Sequence, residues 1–187
     1  MFKKKSLFIT FEGIEGSGKS YLSRKLYQFI RKKKIAAIYT REPGGTIVAE
    51  RIRNLILTDY FKGNNKQKFD KYTDTLLYLA ARNEHIKNKI KPEILKKKVI
   101  ICDRFIDSTI AYQVYGKGVD RNFVNFIHKS ILGNIKPNLT VLLKVKINKA
   151  MQRLNKRKKK NRYDNFSKAF YIKAQNAFIK IAKKNKK

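Results

Sequence analysis

Short apolar runs alternate along this chain with longer stretches in which apolar residues recur every three or four positions. Residues 7–11 (LFITF) are apolar and rich in β-formers, which predicts a buried strand. A glycine-rich segment, Gly13 to Gly18, follows at once. Across residues 19–33 the apolar positions are Tyr21, Leu22, Leu26, Phe29 and Ile30, a helical spacing. Residues 35–39 (IAAIY) predict a second strand, and Pro43-Gly44-Gly45 a loop. Thr46 is placed to cap a helix over 47–57. Residues 59–71 are polar and rich in Lys and Asn, a surface loop. A long helix is expected over 72–90, ended by Pro92. Residues 99–102 form the third strand candidate and 139–145 the fourth. Helices are expected over 107–114 and 121–132, separated by Gly116 and Gly118, then over 148–157 and 166–184, with a charged break at 158–161.

Strands alternating with helices imply an α/β fold, a parallel sheet with helices on both faces. The 187 residues suit one domain, 1–187, with a sizeable core. No apolar run approaches the ~18 residues of a membrane span. Residues 1–5 are basic, but the apolar stretch after them is short and meets acidic Glu12, unlike a signal peptide. Cys102 is the one cysteine; it permits no internal disulfide, fits a cytoplasmic address and reads as a small buried strand residue. His85 and His128 fall on predicted helices, show no catalytic pattern, and read as surface or packing residues.

Charge changes the picture less than its size suggests. Lys plus Arg total 46 against 13 Asp plus Glu, a net +33. Such a balance invites a nucleic-acid surface. Yet Lys outnumbers Arg 35 to 11 and is scattered through every segment, whereas base readout favours Arg forks and backbone tracking favours a stripe. Compositional drift in an A+T-rich genome, combined with a small polyanionic ligand, gives the same mixture. Specific nucleic-acid binding is the weaker of the two readings.

The glycine segment carries chemistry. Gly13, Ile14, Glu15, Gly16, Ser17, Gly18, Lys19 and Ser20 fit G-x-x-x-x-G-K-[ST] between a predicted strand and a predicted helix. Glycines let the backbone wrap a phosphate with successive N–H groups, and the helix N-terminus adds its dipole. Lys19 then bridges the β- and γ-phosphates of ATP, and Ser20 holds Mg²⁺. At the end of the third strand, Asp103 and Arg104 face the crevice of an open parallel sheet, where an Asp serves Mg²⁺ and an Arg forks onto a phosphate. The segment TREPGGT (40–46) follows strand two at the same rim. Tyr78 and Arg82 share one helix face, an aromatic plane beside a guanidinium, which suits a nucleobase.

Taken together, FEGIEGSGKS (11–20), TREPGGT (40–46), LLYLAAR (76–82), VIICDRFIDSTIAY (99–112), Gly116-Lys117-Gly118 and KPNLT (136–140) resemble the bacterial-type thymidylate kinases. The resemblance covers residues 7–162 in order. It implies a three-layer P-loop NTPase fold and transfer of a phosphoryl group from ATP to dTMP with Mg²⁺, for dTTP synthesis, by a cytoplasmic homodimer. It also implies roles. Glu15 meets the sugar 3′-hydroxyl, Tyr78 stacks on thymine, and Arg82 addresses its O4. Arg104 grips the dTMP phosphate beside Asp103. Thr109 and Gln113 lie at the base edge and Tyr112 against the sugar. Arg41 and Pro43 line the substrate side, with Pro43 matching a proline that follows a cis peptide in this family.

A lid around 153–165 is expected from the same resemblance. Arg153 belongs there with ATP, and Arg157 and Arg162 are the candidates for transition-state contact, because this P-loop carries no arginine of its own. Arg153 and Arg157 are four apart and are expected to share a helix face. Lys144 and Phe105 depart from the residues common in the family, Asp and Tyr. The family's usual fifth strand is not expected, which leaves a four-stranded order 2-3-1-4. The alternatives are another P-loop nucleoside monophosphate or deoxynucleoside kinase or, in a different class, a basic P-loop ATPase that binds nucleic acid.

Overall fold

The structure is a computed structural model that describes residues 6–58, 69–158 and 161–185. Four strands, β1 (Leu7–Glu12), β2 (Ala37–Arg41), β3 (Val99–Asp103) and β4 (Leu139–Leu142), form one sheet in the order β2-β3-β1-β4. Every pair is parallel, as strand-helix alternation requires. The helices are α1 (Lys19–Lys32), α2 (Ile47–Leu57), α3 (Lys71–His85), α4 (Lys91–Leu95), α5 (Ile106–Thr109), α6 (Arg121–Leu132), α7 (Ile147–Asn155) and α8 (Lys168–Lys184). The period-two alternation of the central strands feeds two cores. Phe8, Ile100 and Cys102 face Ile86, Ile90 and Phe105 on one side. Ile9, Phe11 and Ile101 face Leu26, Tyr27 and Ile30 of α1 on the other. A third cluster joins Ile14 and Tyr112 to Tyr163, Tyr171 and Phe178 beneath α8.

Several boundaries differ from expectation, each for a local reason. The helix over 72–90 does not stop before Pro92: a π-helical turn, Ile86–Ile90, links α3 to α4. The Lys91 amide reaches back to the Ile86 carbonyl, so the wider turn takes up the register that proline disrupts, and buried Ile86 and Ile90 hold it in the core. A second π-helical segment, Ile110–Gly116, continues α5. β2 runs on to Arg41 because β3 offers it partners as far as Asp103. β4 ends at Leu142, opposite Glu12; the Leu143 amide still donates to the Glu12 carbonyl (2.9 Å), and past that point β1 has turned into the glycine loop. α7 ends at Asn155 and α8 begins only at Lys168, after a 3₁₀ turn (Arg162–Asn165) closed by a capping box between Asn161 and Asp164. α2 is capped by Thr46 as expected, its hydroxyl accepting from the Ala49 amide. The expected loop at 59–71 lies largely outside the described residues.

One buried carboxylate locks the sheet to the segment after β3. Glu12, 1% exposed at the end of β1, accepts from the Phe105 amide (2.7 Å) and the Ser108 hydroxyl (2.6 Å). Burial and the nearby Asp107 push its pKa up to about 7, against the pull of Ser108, Arg104 and the Phe105 amide. A carboxyl whose folded value lies above its unfolded one stabilises the fold at low pH and loses that contribution as pH rises. Urea midpoints should therefore fall between pH ~5 and ~8, and Glu12→Gln should flatten that slope. Identical slopes in the two proteins would contradict this reading of Glu12.

Candidate active site

β1 delivers the chain into the glycine loop at the carboxyl rim of the sheet. Gly13 has φ +140°, and a side-chain carbon there would lie 2.6 Å from the Leu143 carbonyl oxygen. Gly16 has φ +72° and would meet the Ala150 carbonyl oxygen at 2.7 Å. Neither position admits a side chain, which is why the motif needs glycine. Ile14 is fully buried under α8 and anchors the loop from below. Lys19 opens α1 and folds back so that its Nζ donates to the Ile14 carbonyl at 3.2 Å. Burial, then the neighbouring Arg104, lowers its pKa to about 8, while Glu15, Asp103 and Glu12 pull the other way. Ser17 Oγ is buried without a partner among the described residues. Arg153 reaches from α7 to donate to the Gly16 carbonyl at 2.7 Å.

β3 brings the second set. Register pairs Phe11 with Asp103, so the end of β3 stands beside the start of the loop. Ser20 Oγ donates to Asp103 Oδ2, and Asp103 Oδ1 is buried without a partner among the described residues. Arg104 adopts a left-handed φ of +73°, uncommon for a side-chain-bearing residue, with its amide on the Phe11 carbonyl. That turn aims its guanidinium at the loop: Nη1 donates to Gly13 O and Ser108 Oγ, both at 3.0 Å, and Nη2 to Glu15 Oε1 at 2.8 Å. Glu15 Oε2 accepts from the Tyr112 hydroxyl at 2.5 Å. Burial alone would raise the Glu15 carboxyl, but Arg104, Lys19 and Tyr112 together hold it below its ordinary value. Burial likewise works against the Arg104 charge, and the surrounding carboxylates outweigh it.

A cleft opens beside this pair, lined by Arg41, Pro43, Arg53, Tyr78, Arg82, Thr109, Gln113 and Tyr163 among others. The Glu42–Pro43 peptide is cis, as the resemblance implies for this proline. Arg41 is held by Glu50 (3.0 Å), and Arg53 donates to the Pro43 carbonyl (2.7 Å). Half-buried Tyr78 stands edge-on to Tyr163, ring centres 6.1 Å apart. Arg82, 3% exposed, is engaged on every side by Glu42, Phe105, Thr109 and His128. Gln113 donates to the Tyr163 hydroxyl at 3.2 Å.

The lid arginines separate. Because α7 ends at Asn155, Arg157 is not on the helix that carries Arg153, and the expected shared face is absent. Beyond Leu154 the sequence offers a run of like charges and no apolar residue to bury, so the helix has nothing to extend it. Arg157 pairs with Asp164 (2.8 Å) and still lines the cleft. Arg162 turns instead to Asp74, a buried carboxylate that also takes Lys117 (2.5 Å). Residues 159–160 lie outside the described set.

Sequence reasoning left Glu42, Arg53, Asp74 and Tyr163 without roles. A usable signal was present: in a chain with only 13 acidic residues, a carboxylate inside or beside a motif is informative. Of the two readings of the histidines, packing holds; His85 (0% exposed) bonds Glu42 and Thr40, and His128 (5%) bonds Arg82.

The chain is similar to known proteins over nearly its whole length. Residues 11–187 match the family model described as thymidylate kinase. The sequence is 40% identical over 181 residues to the thymidylate kinase of Ehrlichia chaffeensis, spanning 96% of this chain and 84% of that protein. It is 41% identical over 179 residues to that of Wolbachia pipientis wMel, spanning 94% and 85%. The crystal structure of the Ehrlichia chaffeensis thymidylate kinase superposes with a TM-score of 0.77 at 36% identity, covering 97% of this chain and 89% of that one. With a P-loop, a parallel sheet of matching order and this breadth of identity, the chain belongs to the thymidylate kinase family, phosphotransferases that convert dTMP to dTDP with ATP as donor.

Proposed function

We propose that this chain acts as a single kinase domain, 1–187, with a lid around 153–165, and catalyses ATP + dTMP → ADP + dTDP as a cytoplasmic, Mg²⁺-dependent homodimer. No helix of the described residues is long and apolar enough to cross a membrane. The observation that carries the reading is the Arg104–Glu15 ion pair at the boundary between the phosphate loop and the adjoining cleft. It supports the reading because it holds one cation between the loop proposed for ATP and the cleft proposed for dTMP.

The donor side is the loop of Gly13 to Ser20, whose amides and α1 N-terminus receive the ATP phosphates, with Arg153 closing over Gly16. An incoming phosphate stabilises the Lys19 charge that burial opposes. Ser20 and Asp103 fit a hard cation: the donors are all oxygen, and Asp103 Oδ1 stands buried and unpartnered. When bound there, Mg²⁺ neutralises phosphate charge. On the acceptor side Arg104 grips the dTMP phosphate, Glu15 takes the 3′-hydroxyl, and Tyr112 packs against the sugar. Arg41 and Pro43 form the rim, Tyr78 stacks on thymine, Thr109 and Gln113 address its edge, and Arg82, whose donors are taken by Glu42, Phe105, Thr109 and His128, reaches the base by sharing one of them. Thr109 Oγ1 accepts from Arg82, which leaves its own O–H as a donor for a keto oxygen of the base.

The transfer is in line. An oxygen of the acceptor phosphate attacks the γ-phosphorus as the bond to the β–γ bridging oxygen breaks, and ADP leaves with that electron pair. No covalent enzyme intermediate is needed. The residues contribute position and charge: Lys19, Arg104 and the lid arginines Arg157 and Arg162 balance the charge spread over the transferring group. Arg157 already faces the cleft, whereas Arg162 has to exchange Asp74 for phosphate.

Lys19→Ala should lower kcat for dTMP by about 1000-fold in an ADP-release assay; unchanged turnover would remove Lys19 from the mechanism. Tyr78→Ala should raise KM for dTMP about 10-fold, the scale of one base stack, and spare KM for ATP. Equal losses for both substrates would make Tyr78 a framework residue.

A further inference from the structure

We propose that His128 is a positioning residue for the acceptor base: its Nε2 lone pair holds Nη1 of Arg82 in place, and so sets the affinity for the nucleobase without touching it. The inference rests on the reading of Arg82 as base-facing.

Arg82 is held by acceptors from four separate parts of the chain. Glu42 Oε2, just past β2, lies 2.7 Å from Nε and from Nη2. The Phe105 carbonyl, just past β3, accepts from Nη2 at 2.9 Å. Thr109 Oγ1 of α5 accepts from Nη1 at 2.9 Å, and His128 Nε2 of α6 lies 2.6 Å from the same nitrogen. Thr109 lines the cleft and His128 does not. The two therefore hold opposite sides of Nη1, one at the ligand and one behind it.

The chemistry fixes the state of the imidazole. A guanidinium has donors and no acceptor, so Nε2 must present a bare lone pair, and the ring is neutral with its proton on Nδ1. Burial first and the Arg82 charge second lower the His128 pKa to about 3, with Glu42 opposing. The charged groups around the network are Arg82 from α3, Glu42 after β2 and Asp107 from α5. Without the Nε2 acceptor, a buried N–H of Arg82 loses its partner; Glu42 and the Phe105 carbonyl still hold Nε and Nη2, so the disturbance falls on Nη1, the nitrogen that Thr109 holds at the cleft. The expected result is a loss of base affinity rather than of chemistry. Glu42 is itself braced by His85 Nδ1 at 3.0 Å, and His128 brings a clamp on Arg82 from α6.

Nitrogen-15 NMR of the imidazoles in the wild-type enzyme tests the geometry directly. His128 should show the Nδ1–H tautomer and no titration between about pH 5 and about pH 8. An Nε2–H tautomer, or a titration near 6.5, would overturn the proposal. Kinetics test the consequence. His128→Leu should raise KM for dTMP by about 10-fold while kcat and KM for ATP stay within about twofold, and His128→Gln, which keeps an acceptor, should recover most of the loss. An unchanged KM for dTMP, or parallel losses for ATP and dTMP, would overturn it. Should His128→Leu not fold, the wild-type tautomer and the KM of His128→Gln decide. Arg82→Lys, measured in parallel, separates the layers: an unchanged KM for dTMP there overturns the base-facing reading itself, whereas a raised KM there with none in His128→Leu overturns His128 alone.

Discussion

The parallel pairing of β1 with β3 is the constraint on which the site depends. Its register sets Phe11 against Asp103, so the strand that launches the phosphate loop and the strand that ends in Asp103-Arg104 finish side by side. From there the two chains diverge in ways their residues dictate. β1 turns through Gly13 and Gly16, where carbonyl oxygens leave no room for a side chain. β3 turns through Arg104 in a left-handed conformation that sends the guanidinium back across to Gly13 and Glu15. Glu12, immediately before the loop, ties both turns together through Phe105 and Ser108. A slip of one residue between β1 and β3 would exchange the faces of Ile100, Ile101 and Cys102 and part Ser20 from Asp103.

Electrostatically the molecule is organised by its acids rather than its bases. The net charge of +33 is carried largely by scattered lysines such as Lys32, Lys33 and Lys34, which stand in solvent. The scarce carboxylates are spent where cations must be aimed. Glu15 holds Arg104, Glu42 holds Arg82 and His85, Glu50 holds Arg41, and Asp74 holds Lys117 and Arg162. Ion pairs of this kind, desolvated or, as with Arg41–Glu50, partly exposed, add little net stability, but they fix direction, which a phosphate or base site requires.

Much of this was legible from residue order. Alternating apolar strands and 3.6-period helices give the parallel sheet; its order 2-3-1-4 follows only from the family resemblance, and the P-loop with Asp103, Arg104, Tyr78 and Arg82 marks the cleft that the structure assembles. What could not be read depends on long-range geometry. Pro92 marks a helix end by local rules, yet a π-helical turn packed on Ile86 and Ile90 carries the helix through it. Arg153 and Arg157 share a face only if α7 continues, and it stops at Asn155. Tyr163 lies far along the chain from Tyr78, Tyr112 and Gln113, and only the fold shows that it joins them. His128 and Arg82 sit 46 residues apart, with no pattern to link them.

The central claim is that the cleft beside the Arg104–Glu15 pair selects a thymine nucleotide as phosphoryl acceptor. The most direct measurement is ADP release from ATP with dTMP, dUMP, UMP, CMP, AMP and GMP compared as acceptors at matched concentrations. The account predicts the highest kcat/KM for dTMP. A higher value for any other nucleotide in that set, or no turnover with dTMP, would contradict it.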